Sequence, residues 1–254
     1  MNMTSRLPVL ASTLGTLFTV CLALTLLGVG HYGLDTPLTH TLAGMTAIFF
    51  TLFLLSERFN PNPLLPRTSR HSSAFMIRLC TSAFGAVVCL PAFLLMLWLM
   101  KNAYGFGALN LLMAGIPVVL LMPAGYMTGK KITRSLSADK CLLAGFGVFV
   151  TGQGIIALSL NALPFWWVIW PAMLLSALGA GLVYHVRDAS IQAVTRREEI
   201  QLNAGVFQLS ALVTLALLIM LLKMSPGTAG VEHGYFLMII LALAGVVTAL
   251  MAQE

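Results

Sequence analysis

Residues 141–160 read CLLAGFGVFVTGQGIIALSL, without a single Asp, Glu, Lys, Arg or His, directly after Asp139 and Lys140. At about 1.5 Å per residue, a helix over this stretch covers roughly the 30 Å of a bilayer's hydrocarbon core. A run this long and this apolar predicts a membrane span rather than a surface helix or a strand. Working outward, seven more stretches share its character: about 9–30, 37–55, 75–100, 105–128, 163–184, 203–222 and 233–252. Together they predict an all-α, polytopic membrane protein with eight transmembrane helices. Only 9% of the residues are charged and the mean hydropathy is +0.93. Soluble domains carry roughly 25% charged residues, so disorder, an ordinary soluble enzyme and a nucleic-acid binder are excluded. Pro117, Pro123 and Pro171 fall inside the fourth and sixth stretches, which makes those two the most open to interruption. Neighbouring helices and hydroxyl side chains can satisfy the carbonyls a proline frees, so both are expected to cross. The first stretch follows Arg6 but has no Ala-x-Ala cleavage pattern, and it reads as a retained helix.

The charges supply an orientation. If the connecting loops alternate sides, Arg6, Arg58, Arg67, Arg70, Arg78, Lys130, Lys131, Arg134, Lys140, Arg187, Arg196 and Arg197 share one side, leaving Lys101 and Lys223 on the other. Basic loops stay on the cytoplasmic side, so both termini are expected there and the net charge of +6 reads as topogenic.

Catalytic groups are sparse. All eight Asp and Glu residues lie outside the span centres. Proton-driven carriers place a carboxylate or histidine within the membrane, and no such group is present here. His-Glu-x-x-His is missing, and each histidine sits near a span end, so no enzyme is expected. Cys21, Cys80, Cys89 and Cys141 show no paired spacing, indicating neither disulfides nor zinc. His31, Asp35 and His40 flank one short loop, where they could form a weak metal or proton site or simply be interfacial polar residues. No metal or cofactor is assigned. The polar candidates within spans are Gln153, Gln208 and Asn110, each expected to face protein or a water-filled cavity, as interhelical glue or as part of a substrate path. Phe84, Trp98, Trp166, Trp167 and Trp170 could add an aromatic surface to such a path or anchor the spans at the membrane interface. Small residues, notably Gly145, Gly147, Ala177, Gly179 and Gly181, permit close helix contacts.

The stretch from Pro123 through Gly125 and Gly129-Lys130-Lys131 to Arg134 resembles the Gly-x-x-x-Asp-Arg/Lys-x-Gly-Arg/Lys-Arg/Lys loop of the major facilitator superfamily. Gly125, Lys130 and Arg134 match; Gly129 stands at the Asp position and Ile132 at the second Gly. Ser56-Glu57-Arg58-Phe-Asn60-Pro61-Asn62-Pro63-Leu64-Leu65 is similar to the connector of fourteen-helix drug:proton antiporters, which leads into their last six helices. Lys101-Asn-Ala-Tyr104-Gly105-Phe106 resembles the outer loop that follows. Ala177 to Gly181, then Thr195 to Glu199 and Asn203 to Gly205, resemble the stretch into the penultimate core helix, with Ser210 and Thr214 in place of later glycines. Physically, Thr195-x-x-Glu198 reads as a capping box opening the seventh helix.

The resemblance spans nearly the whole chain but only about the second half of the family's pattern. It implies three regions: two leading helices (1–56), a cytoplasmic connector (57–74) and a six-helix C-terminal bundle (75–254), with the leading pair packed outside. It also implies a bacterial inner-membrane protein that exports lipophilic small molecules only with a second bundle, supplied by a homodimer or a separate N-terminal half, since facilitators bind substrate between two bundles. The alternative is a non-transporting remnant or a regulatory membrane partner of a full-length carrier.

Overall fold

The computed structural model describes residues 7–59, 73–88, 90–160, 164–192, 197–224 and 228–251. Within them the chain forms α1 (Leu7–Tyr32), α2 (Pro37–Phe59), α3 (Ser73–Val87), α4 (Leu90–Asn102), α5 (Ala108–Ile132) and α6 (Ala138–Ser159). A π-helical turn (Phe165–Ile169) then runs into α7 (Trp170–Gln192), followed by α8 (Arg197–Met224) and α9 (Thr228–Met251). Among the described residues eight segments are long and apolar enough to cross a bilayer, α3 with α4 and the π turn with α7 each counting as one. The chain is an all-α integral membrane protein.

Both proline-bearing stretches are long and apolar enough to cross, as expected. Pro117 and Pro123 lie inside an uninterrupted α5. In the third span α3 ends at Val87 and α4 begins at Leu90, one residue ahead of Pro91, which has no N–H for the Val87 carbonyl. Pro171 leaves the Trp167 carbonyl without a donor, and the sixth span absorbs this by widening: the Trp170 N–H donates to the Phe165 carbonyl, five residues back. That span also runs to Gln192, two turns beyond the apolar stretch that marks it in the sequence.

Spans three to eight pack around α7 and α9. α7 lies between α5 and α6; α6 packs on α9, and α9 on α3 and α8. Leu95, Leu99, Phe146, Phe149, Met173 and Met238 fill the interior with no more than traces of exposure. α1 packs on α2 and α8, whereas α2 has α1 as its main neighbour. α7 is held by backbone approach on both sides. A Cβ on Gly181 would meet the Met122 carbonyl of α5 and lie 3.0 Å from the Gly125 Cα, and one on Gly179 would lie 2.5 Å from the Phe149 nitrogen of α6. Gly147, by contrast, faces open space.

Candidate functional site

A cavity of about 280 Å³ lies between the third, fourth, fifth and sixth spans. Val88, Ala92, Phe93 and Met96 line it from the third span, Val118, Val119 and Met122 from α5, Phe149 from α6, and Ser176, Ala177 and Ala180 from α7. Val119, at its rim, is half exposed. Ser176 supplies the one polar side chain of this lining, and its hydroxyl already donates to the Ala172 carbonyl at 3.0 Å. Such a cavity suits an uncharged apolar guest. Dry apolar cavities of roughly 150 Å³ already admit a benzene ring.

None of the residues suggested for a substrate path lines this cavity. Gln153 is fully buried in α6, and neither its Nε2 nor its Oε1 has a hydrogen-bond partner among the described residues. Phe84 and Trp98 are half-buried against the core. Gln208 and Asn110 are exposed, contrary to the expectation that membrane amides face protein or a cavity. Both lie at span margins: Asn110 in the first turn of α5, and Gln208 three residues into the apolar window that begins at Gly205. There a polar side chain can reach headgroups or water. Trp166 and Trp167 are exposed as well.

The two ends of the bundle carry different chemistry. At one end Tyr104, Phe106, Phe165, Trp166 and Trp170 form a continuous aromatic cluster, with Phe106 and Phe165 edge-to-face at 4.7 Å and Phe106 stacked on Trp166 at 5.8 Å. Gly105, at φ +63°, allows the tight turn that folds Phe106 back onto it. The Trp170 Nε1–H donates to the Ala114 carbonyl of α5 at 3.2 Å, and the Tyr104 hydroxyl donates to the Leu160 carbonyl at 3.5 Å. Burial pushes the Tyr104 hydroxyl's pKa above its ordinary value, because the phenolate would lose its hydration.

At the opposite, basic end, Lys130 and Arg134 are exposed, as are Lys131 and Lys140. Gly125 is buried within α5, where a Cβ would meet the Leu178 carbonyl of α7. One turn further, Gly129 makes room for the ring of His185, whose Nε2 lies 3.1 Å from the Thr133 Oγ1 and whose edge faces Tyr126 at 5.0 Å. The Arg187 guanidinium stacks over Phe207 of α8 at 3.8 Å. His185, near the end of its span, is thus buried against α5. The spacing of Gly125 and Gly129 was the available signal, since two glycines four apart give α5 a flat face for a bulky neighbour. Thr195 lies outside the described residues; Glu198 falls in the first turn of α8, and its side chain lies outside them too.

Cys21, Cys80 and Cys141 are free thiols, and Cys89 lies outside the described residues. Among the described residues no group of three His, Cys, Asp or Glu could hold a metal, so His31, Asp35 and His40 do not assemble one; both histidines are exposed. No protein-family model and no curated protein matches the chain.

Proposed function

We propose that the chain is one bundle of a facilitator-type carrier, the counterpart of the C-terminal part of a drug:proton antiporter, and that it exports lipophilic small molecules only together with a second bundle. The observation that carries this reading is the meeting of Gly125 and Gly181. They come from two separate stretches that resemble the family, and the fold sets them against each other across α5 and α7. An apolar cavity in the same bundle accords with lipophilic cargo. The sequence offers no acid at a span centre, so proton coupling has to come from the partner bundle. The second bundle is a homodimer mate or a separate N-terminal half. In this reading the protein sits in a bacterial cytoplasmic membrane with both termini in the cytoplasm.

The test is drug accumulation in an efflux-deficient strain. The chain expressed where cross-linking shows it monomeric should leave accumulation unchanged, and a dimer or a co-expressed six-helix half should lower it. Export by the monomer would sink the requirement for a second bundle. No export in any assembly would sink the carrier reading.

A further inference from the structure

We propose that the cavity and the basic end of α5 together bind an anionic phospholipid of the surrounding bilayer, with one acyl chain entering the cavity and the headgroup resting on Lys130. The proposal goes beyond the carrier reading and does not depend on it. It is tested without transport.

The cavity calls for an apolar occupant. Its lining holds no Asp, Glu, Lys, Arg or His, and the Ser176 hydroxyl is already engaged with the Ala172 carbonyl. An ordered water needs roughly two to four polar partners, so water has no foothold there. The volume of about 280 Å³ equals roughly nine water volumes of ~30 Å³ each, well beyond the small voids of a packed interior. The mouth indicates where the occupant comes from. Val119 lines the cavity yet is 51% exposed, and Ile116 and Leu120 beside it on α5 are exposed as well. Val119 lies near the middle of the span Ala108–Ile132, so the cavity opens at mid-depth onto the hydrocarbon of the bilayer.

From that mouth α5 leads to a charge. The helix is uninterrupted, so Val119 and Lys130 lie on one face about three turns apart, separated by roughly 16 Å along the axis. Pro123 and Met127 lie between them on the same side, both apolar and exposed. Half of the ~30 Å hydrocarbon core is about 15 Å, the depth that one acyl chain covers. A lipid whose headgroup sits at Lys130 therefore brings the end of its chain to the level of Val119. Lys131, Arg134 and Lys140 are exposed at the same end, and Asp139 is the one acid among residues 129–140. A headgroup of net negative charge complements this end, as basic residues beside a span attract anionic lipids. The headgroup itself cannot enter the cavity, where the lining offers it no counter-ion.

The experiment uses the purified full chain in phosphatidylcholine liposomes, photolabelled with trace phosphatidylglycerol that carries a diazirine at the end of one acyl chain. Phosphatidylcholine with the same chain, and a diazirine-bearing octane, serve in parallel. Adducts of the phosphatidylglycerol should concentrate on Met96, Met122 and Phe149, exceed those of the phosphatidylcholine there by about fivefold or more, and fall in high salt. Lys130→Gln should lower them about fivefold, the equivalent of roughly 1 kcal/mol for one lysine near an anionic surface. It should leave the phosphatidylcholine adducts and the Tm unchanged. Val119→Trp, which blocks the mouth from an exposed position, should abolish cavity adducts of both lipids and leave the Tm unchanged.

Lipid adducts spread over surface residues such as Leu112 and Ile240, with no excess in the cavity, would overturn the site. Equal cavity labelling by the two lipids, or undiminished phosphatidylglycerol labelling of Lys130→Gln, would overturn the role of the headgroup. Cavity adducts from octane alone would give the space to a small apolar guest, and lipid adducts that vanish in cross-linked dimers would give the mouth to a second copy. Either result would overturn the lipid as occupant.

Discussion

α7 and the α1–α2 hairpin differ in how much close backbone contact attaches them to the bundle. α7 meets its neighbours backbone to backbone, through Gly181 against α5 and Gly179 against α6. The hairpin is joined internally by side chains: Phe18 and Phe50 lie 5.0 Å apart, and the Thr25 and Thr46 hydroxyls are 2.9 Å apart. Its close approach to the rest of the protein is at Gly30, where a Cβ would lie 2.8 Å from the Met220 Cα of α8. Ile48, Leu54 and much of α2 remain exposed. In lipid, apolar side chains gain little by leaving one hydrocarbon surroundings for another, so helices associate mainly through close packing and hydrogen bonds. Glycine contacts therefore mark the structural centre of this molecule, and their scarcity marks its appendage.

The largest effect should come from Gly181→Leu, because the atoms it would strike are backbone and cannot swing aside. We expect a loss of about 3 kcal/mol or more, seen as failure to yield monodisperse protein or a collapsed Tm. Gly147→Ala, on the free face of α6, should instead gain up to about 1 kcal/mol from helix propensity. Similar losses for both would show that glycine content, and not the α5–α7 contact, sets the stability.

Gly30→Leu should cost about 1–3 kcal/mol and act locally. A disulfide cross-link engineered between α1 and α8 should be lost, while the melting of the remaining spans holds. Concerted unfolding of the whole chain would mean that the hairpin is integral to the bundle. Thr25→Val should have the smallest effect, about 0.6 kcal/mol for one hydroxyl contact between helices. Its check is a slightly faster proteolytic release of the hairpin. An effect matching that of Gly181→Leu would erase the distinction between the two attachments.

Much of the fold was legible because a span is a one-dimensional property: some twenty apolar residues in a row must cross, whatever surrounds them. Pro117, Pro123 and Pro171 show the limit. Each removes the same hydrogen bond, yet α5 runs on through Pro117 and Pro123 while the sixth span widens into a π turn ahead of Pro171. Pro123 sits two residues before Gly125, where α5 is clamped to α7. The candidate site follows the same pattern. Gln153 was visible as an amide within a span, but its lack of partners depends on which side chains α7 and α9 bring beside it. The cavity had no signature in the sequence, since Val, Ala, Phe and Met line it as they line the lipid-facing surfaces.

Apolar length and charge count thus determined by themselves that this is a helical membrane protein with eight spans, because transfer of a segment into lipid depends on its own composition. Which helices touch, where a cavity forms and where an amide is left alone were decided only in the tertiary structure. Those outcomes rest on contacts between residues far apart in the chain, and a glycine or proline takes its effect from the neighbour it meets.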